Sequence, residues 1–345
     1  MADPAESEIY AALDLGTNNC RLLIAHPAFR HTKNGRSLKA IDSFSRIVRL
    51  GEGVSGSGTL SEEAMERTIG ALRTCQRKLE RHIVGRTRFV ATEACRRATN
   101  AETFLQRVQD EIGLELEIIS NEEEAKLALL GCCSLLRPSI QRALAFDIGG
   151  GSTEIMWVAT PESYHAQTPP LFPFTPELLG WTSMPYGVMN LSEQFGHNDY
   201  ASVYFEDIVS KVMTKLAPFA KKHTIASQLN DVPTQLLSTS GTVTTLAAVH
   251  LNLQRYDRSR VDGISLPAEQ LRGSIARLLA MRPSERFNHP CIGPDRSDYI
   301  IAGCAILEAL LRTFPFPQVT IADRGVREGI IISLMLGATA EAAHV

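Results

Sequence analysis

Two stretches of this chain put a carboxylate at the end of an apolar run and follow it at once with small residues. They read Asp14-Leu15-Gly16-Thr17-Asn18-Asn19 and Asp147-Ile148-Gly149-Gly150-Gly151-Ser152-Thr153-Glu154. Small residues let successive backbone N–H groups point at one anion, and a nearby acid can hold a cation that neutralises phosphoryl oxygens, so the chemistry suggested is that of a phosphate–metal site. A lone D-x-G turn is also a common connector. Here two such turns lie 133 residues apart, and three adjacent glycines carry an entropic cost most easily understood if a ligand must approach the backbone closely.

Each turn lies between two strand-like runs. Residues 9–13 lead into the first and 21–25 lead out of it; Asn34-Gly35 then predicts a hairpin to a third strand over about 38–50. After the glycine- and serine-rich loop 51–58, Met65, Ile69, Leu72, Cys75, Leu79 and Ile83 repeat at helical spacing and predict an amphipathic helix covering a sheet. Strands at 87–91 and 116–119 bracket a helix that Asn100 should cap, and Asn121-Glu122-Glu123-Glu124 opens another helix, which Pro138 ends.

The plan then repeats. Strands over 143–146 and 155–158 flank the second turn, and the scattered prolines of 161–185 read as a long loop. A helix with Ile208, Val209, Val212, Leu216 and Phe219 on one side follows, and residues 236–245 read as strand, glycine turn and helix start. A helix at about 297–312, a strand at 319–322 and the Arg324–Gly329 segment lead into a closing helix. Similarity at this distance means two related α/β domains rather than a solenoid.

Composition narrows the class. The chain has 345 residues, 35 Lys+Arg against 38 Asp+Glu and a formal charge of -3. It is longer than one hydrophobic core usually serves, and it has no basic excess to suggest duplex nucleic acid as a partner. Its longest apolar run, from Tyr299, meets Glu308 far short of the roughly 18 residues a span requires, so no membrane is expected. The acidic opening, with no Lys or Arg before Arg21, is unlike a secretory leader and makes a cytoplasmic location the expectation. Seven cysteines without C-x-x-C spacing suggest neither a disulfide framework nor zinc, and a homodimer is the assembly to expect.

The two turns resemble the phosphate loops of the acetate and sugar kinase, Hsp70 and actin superfamily. The surrounding text resembles its exopolyphosphatase and guanosine pentaphosphate phosphohydrolase (Ppx/GppA) branch, through residues 46–53 (RIVRLGEG), 91–100 (ATEACRRATN), 118–125 (IISNEEEA) and 241–247 (GTVTTLA). The resemblance implies an α/β fold of two ribonuclease H-like (actin-like ATPase) domains with an interdomain active cleft. Domain I would be 1–124, completed by the C-terminal helix at about 327–345, and domain II would be 125–326.

On matching positions, the resemblance implies that Asp14 and Asp147 bind Mg²⁺ or another divalent cation, with Glu154 in support. Glu124 would align the attacking water, and Arg96 would contact the phosphoryl group. Gly16, Thr17 and Asn18, with Gly149, Gly150, Gly151, Ser152 and Thr153, would cradle the terminal phosphates. The implied activity is release of terminal phosphate from inorganic polyphosphate; the alternatives are pppGpp hydrolysis, a kinase or ATPase of the same superfamily, and a nonenzymatic nucleotide-sensing protein. Plainer readings compete. Asn121-x-x-Glu124 is also a capping box, Arg96 a solvated arginine and Glu154 an exposed hairpin residue. Lys33, Arg36, Lys39, Arg46 and Arg49 suit either a polyphosphate channel or a solvated strand face. Residues 241–245 suit a third phosphate-facing turn or a plain connector.

Overall fold

The computed structural model describes residues 8–32, 35–161, 175–195 and 203–342. The chain opens with β1 (Tyr10–Leu15), β2 (Asn19–Thr32) and β3 (Gly35–Ile47), then α1 (Val54–Ser57) and α2 (Glu62–Leu79). Next come β4 (Arg86–Ala91), α3 (Glu93–Arg97), α4 (Ala101–Ile112), β5 (Glu117–Ile118) and α5 (Asn121–Cys132). The second half begins with β6 (Arg142–Ile148), β7 (Thr153–Ala159), β8 (Glu177–Met184), α6 (Val188–Phe195), α7 (Phe205–Lys222) and α8 (Ile225–Asp231). It continues through β9 (Thr234–Ser238), α9 (Gly241–His250), α10 (Arg258–Val261), β10 (Ser265–Pro267), α11 (Ala268–Ala280), α12 (Pro283–Asn288), α13 (Pro294–Ser297), α14 (Ile300–Thr313), β11 (Gln318–Ile321) and α15 (Val326–Ala342).

Two compact units result, one made of the residues up to Ser134 and from Arg324 on, the other of Leu135–Asp323. The first holds a five-stranded sheet ordered β3-β2-β1-β4-β5, in which β1 pairs antiparallel with β2 and parallel with β4. The second sheet is ordered β10-β11-β9-β6-β7-β8, again with an antiparallel partner on one side of β6 and a parallel one on the other. Removing the short β10 leaves the same order of roles as in the first sheet. Each unit is thus a ribonuclease H-like α/β domain, and β1 and β6, which carry the two acids, hold equivalent central places.

Central placement explains the composition of these strands. Tyr10 to Leu13 are all buried, as are Ala143 to Phe146 and the whole of β7, so these strands are near-continuous apolar runs rather than alternating ones. In the first unit, Ile69, Leu72 and Cys75 of α2 and Phe104 and Val108 of α4 join Leu13, Leu15, Leu22 and Ile24 in one core. Ser61 caps α2 by accepting from the Ala64 amide at 3.2 Å. The helix ends at Leu79, so Ile83 lies outside it and is 93% exposed, contrary to its place in the expected apolar stripe. Asn100 precedes α4, but its side chain bonds Leu60 N and O instead of capping the helix.

Three sequence expectations meet the described residues only in part. The Asn34 turn and Lys33 fall outside them, although β2 and β3 do pair antiparallel. The long loop expected over 161–185 is interrupted by β8, which pairs with β7 from Thr153↔Met184 to Ala159↔Glu177. The unit boundary falls at Ser134 rather than near 125, so all of α5 belongs with the first unit.

The reason is close packing between α5 and α15. A methyl on Gly329 would collide with the Leu127 carbonyl, 2.6 Å from its carbon, and one on Gly131 would fall on the Gly325 carbonyl. Only glycine permits the approach that brings the first turn of α15 beside β1. We expect Gly329→Ala to destabilise the protein by roughly 1–3 kcal/mol through overpacking. Gly70→Ala in α2, where a new methyl meets nothing within 4 Å, should stabilise it by about 0.5–1 kcal/mol. Urea unfolding of the two variants beside the parent measures both; equal effects would contradict the packing argument.

Candidate active site

The two acidic turns are closed by the same hydrogen bond. Gly16 N donates to Asn19 O at 2.8 Å, and Gly149 N donates to Ser152 O at 2.9 Å. None of these glycines has a positive φ. Space is tight at Gly149 alone: a methyl there would sit 3.0 Å from the Ser152 carbonyl oxygen, whereas one on Gly16 would make an ordinary contact of 3.5 Å with Asn19 O.

In both turns the carbonyls are also held from behind. Thr17 O accepts from Gly51 N at 2.9 Å, and Asn18 O from Val48 N at 2.8 Å and Arg49 N at 3.1 Å, with Arg49 in the left-handed region at φ 49°. In the second unit, Gly149 O accepts from Val188 N at 3.0 Å, Gly150 O from Met189 N at 2.8 Å and Gly151 O from Asn190 Nδ2 at 2.8 Å. The first turn of α6 thus grips three carbonyls. Gly187 lets it come that close, since any side chain there would strike Gly150 and sit 2.5 Å from Gly151 N. Thr153 Oγ1 donates to Tyr186 O at 2.7 Å and ties the returning strand to the same segment.

With the carbonyls engaged, the amides of Thr17, Asn18, Gly150, Gly151 and Ser152 donate to no other described residue. Five such N–H groups in two tight turns are the kind of donors from which an anion nest is built. Residues 185–190, which hold the second nest in place, were not singled out in the sequence; a glycine and an asparagine at the mouth of a helix are the only local signal. The Gly241 turn is a capped helix start, with Thr242 N donating to Ser240 Oγ at 3.1 Å, and Thr239 Oγ1 beside it is buried without a partner among the described residues.

The acids have opposite surroundings. Asp14 faces Arg21 across the β1–β2 ladder, whereas Asp147 faces Glu154 across β6–β7. Burial pushes the Asp14 carboxyl above its usual range; Arg21 and Arg327 oppose that, and Glu328 adds to it. Arg327 and Glu328, in the first turn of α15, are therefore neighbours of this turn that sequence reasoning passed over. Glu154 is only 2% exposed and accepts from Ser183 Oγ at 2.9 Å, which sets aside its reading as an exposed hairpin residue.

The three adjacent glutamates of α5 separate by partner. Ser120, not Asn121, caps the helix, accepting from Glu123 N at 3.1 Å. Glu122 pairs with Lys126 at 2.6 Å and Glu123 with Arg88. Glu124 lies one residue past the capping-box position and turns to Arg96, Nη2 to Oε2 2.7 Å. Arg96 is no solvated arginine: its side chain is 13% exposed, while Arg97 beside it is exposed. Burial would lower its pKa, and Glu124 and Glu93 more than reverse that. Its Nε and Nη2 also reach Glu93 Oε2 at 3.2 and 3.0 Å, and Nη1 donates to Ile119 O at 2.8 Å. Four of the five guanidinium hydrogens are thereby committed, leaving one on Nη1.

The chain is similar in sequence and fold to known proteins. The chain is 29% identical over 337 residues to exopolyphosphatase 2 of Mycobacterium tuberculosis, covering 94% of this chain and 98% of that protein. Among solved structures, the Ppx/GppA family member of Aquifex aeolicus superposes with a TM-score of 0.72 at 29% identity, covering 96% of this chain and 98% of that one. An exopolyphosphatase from Cytophaga hutchinsonii gives a TM-score of 0.80 at 23% identity, over 96% of this chain and 98% of that one, a likeness of fold. The model of the Ppx/GppA phosphatase family matches residues 29–338, and the chain belongs to that family.

Proposed function

We propose that this protein is an exopolyphosphatase, releasing orthophosphate from the end of inorganic polyphosphate by attack of water. The observation that carries the reading is the orientation of Glu124: of three consecutive glutamates it alone is turned onto the part-buried Arg96, in the unit that also presents the Thr17 and Asn18 amides. Phosphoryl transfer through a loose transition state asks mainly for positioning and charge neutralisation, and these groups supply both. The nest amides donate to phosphate oxygens, and the remaining Nη1 hydrogen of Arg96 serves one oxygen of the transferred group. Glu124 orients the water and takes its proton as the new P–O bond forms and the P–O bond to the chain breaks.

A divalent cation fits the second turn better than the first. Asp14 faces Arg21 across its ladder, whereas Asp147 faces Glu154, so two carboxylate side chains stand opposite one another where a cation could be shared. Among the described residues no group of three metal-ligating side chains occurs. One or two carboxylates completed by phosphate and water is the ligand set that Mg²⁺ favours. When bound, the ion would neutralise phosphate charge; Asp147, supported by Glu154, would hold it. No helix among the described residues is long and apolar enough to cross a membrane, and the reading takes the enzyme to act in the cytoplasm.

Phosphate release should be measured with Mg²⁺ and, in parallel, long-chain polyphosphate, pppGpp or ATP. Polyphosphate is expected to be the best substrate; faster release from pppGpp would transfer the reading to that nucleotide, and no release from any would refute it. Glu124→Gln should cost on the order of 10²–10⁴ in kcat with KM little changed, as expected for a residue acting on the attacking water. Chelation by EDTA should abolish activity and added Mg²⁺ restore it, with Asp147→Asn needing more Mg²⁺ for half-maximal rate. Activity indifferent to both would contradict the assignment of the cation.

A further inference from the structure

We propose that Glu93 is a positioning residue for this reaction, acting through Arg96 to fix how the Glu124 carboxylate is presented. Its effect on rate rests on the phosphatase reading above; its effect on Arg96 does not. Glu93 and Arg96 lie one turn apart in α3, and Glu124 lies in the first turn of α5, so a single guanidinium spans two elements. Arg96 directs Nε and Nη2 at Glu93 Oε2, 3.2 and 3.0 Å, and only one Nη2 hydrogen at Glu124 Oε2, 2.7 Å. Asn121 Nδ2 reaches the same Glu93 oxygen at 3.4 Å. The three charged side chains are 12–15% exposed, so these contacts are largely withdrawn from solvent.

The geometry matters because arginine and carboxylate otherwise prefer a two-pronged pairing. Glu93 occupies the Nε edge of the fork, and the Ile119 carbonyl occupies Nη1 at 2.8 Å. Glu124 therefore meets the guanidinium through a single hydrogen. Without Glu93, Arg96 is free to turn its Nε edge onto Glu124, and a long side chain held from one end only regains rotamer freedom. Either change moves the carboxylate off the line on which it orients water. The Ala91-Thr92-Glu93-Ala94-x-Arg96 text contains the pairing, but spacing alone does not show that both residues converge on a glutamate of another helix.

The test is a double-mutant cycle of Glu93→Gln and Arg96→Ala, with polyphosphate as substrate. Glu93→Gln should lower kcat roughly ten- to a hundredfold with KM nearly unchanged, as for a small displacement of a catalytic group. In the Arg96→Ala background it should have no further effect. An unchanged kcat, or an equal loss in both backgrounds, would overturn the inference. If Arg96→Ala does not fold, Arg96→Lys, which cannot fork, takes its place. The NMR signal of the Arg96 side-chain Nε–H gives a readout that needs no activity: it should lose its protection from solvent exchange in Glu93→Gln. An unchanged signal would overturn the inference even in a chain that releases no phosphate, whereas loss of protection in an inactive parent would overturn only the phosphatase reading.

Discussion

An acidic chain that binds a polyanion must do so with locally concentrated positive potential, and in the reading proposed here much of that potential is main-chain N–H. Such groups face outward only where the carbonyls of the same turn are held inward. The constraint on which the site depends is therefore the set of bonds behind the turns: Gly51, Val48 and Arg49 amides on one, and the first turn of α6 on the other. The repeated closure, Gly16 to Asn19 and Gly149 to Ser152, shows the same solution reached twice in one chain. The surrounding architecture follows from it. Each turn leaves a central, largely buried strand, so the acid before it sits on a part of its sheet held by neighbours on both sides.

The duplicated backbone has been given different charges. Across the ladder, Asp14 faces Arg21, while Asp147 faces Glu154. The first unit further gathers Arg327 and Glu328 from α15 beside Asp14, through glycine contacts that let α15 lie against α5. That packing also joins the helix bearing Glu124 to the one bearing Arg327. The first unit thus carries Glu124, for which we propose the orienting of water, and in the second unit Asp147 and Glu154 are the acids we propose for a cation.

Much of this was legible in the sequence. The two turns, the duplication, the α2 and α4 faces and the closing helix are set by local pattern, and local pattern survives folding. What stayed hidden depends on contacts between distant segments. Nothing in Asn121-Glu122-Glu123-Glu124 says which glutamate turns inward; that follows from Ser120 starting the helix and from Arg88 and Lys126 taking the other two. Asn100 looked like a cap, but Leu60, forty residues away, holds its side chain. β8 was obscured because the prolines around it read as loop and its own residues, Glu177 to Met184, do not alternate between apolar and polar. Glu93 and the 185–190 segment act only through partners that folding brings to them.

The most direct test of outward-facing amides is the NMR response of the backbone on adding a methylene-bridged, non-hydrolysable polyphosphate analogue with Mg²⁺. The account predicts that the Thr17, Asn18, Gly150, Gly151 and Ser152 amide protons shift downfield together, in proportion to occupancy, as they take up phosphate oxygens. Saturable binding that leaves these five unmoved while other amides shift would contradict it.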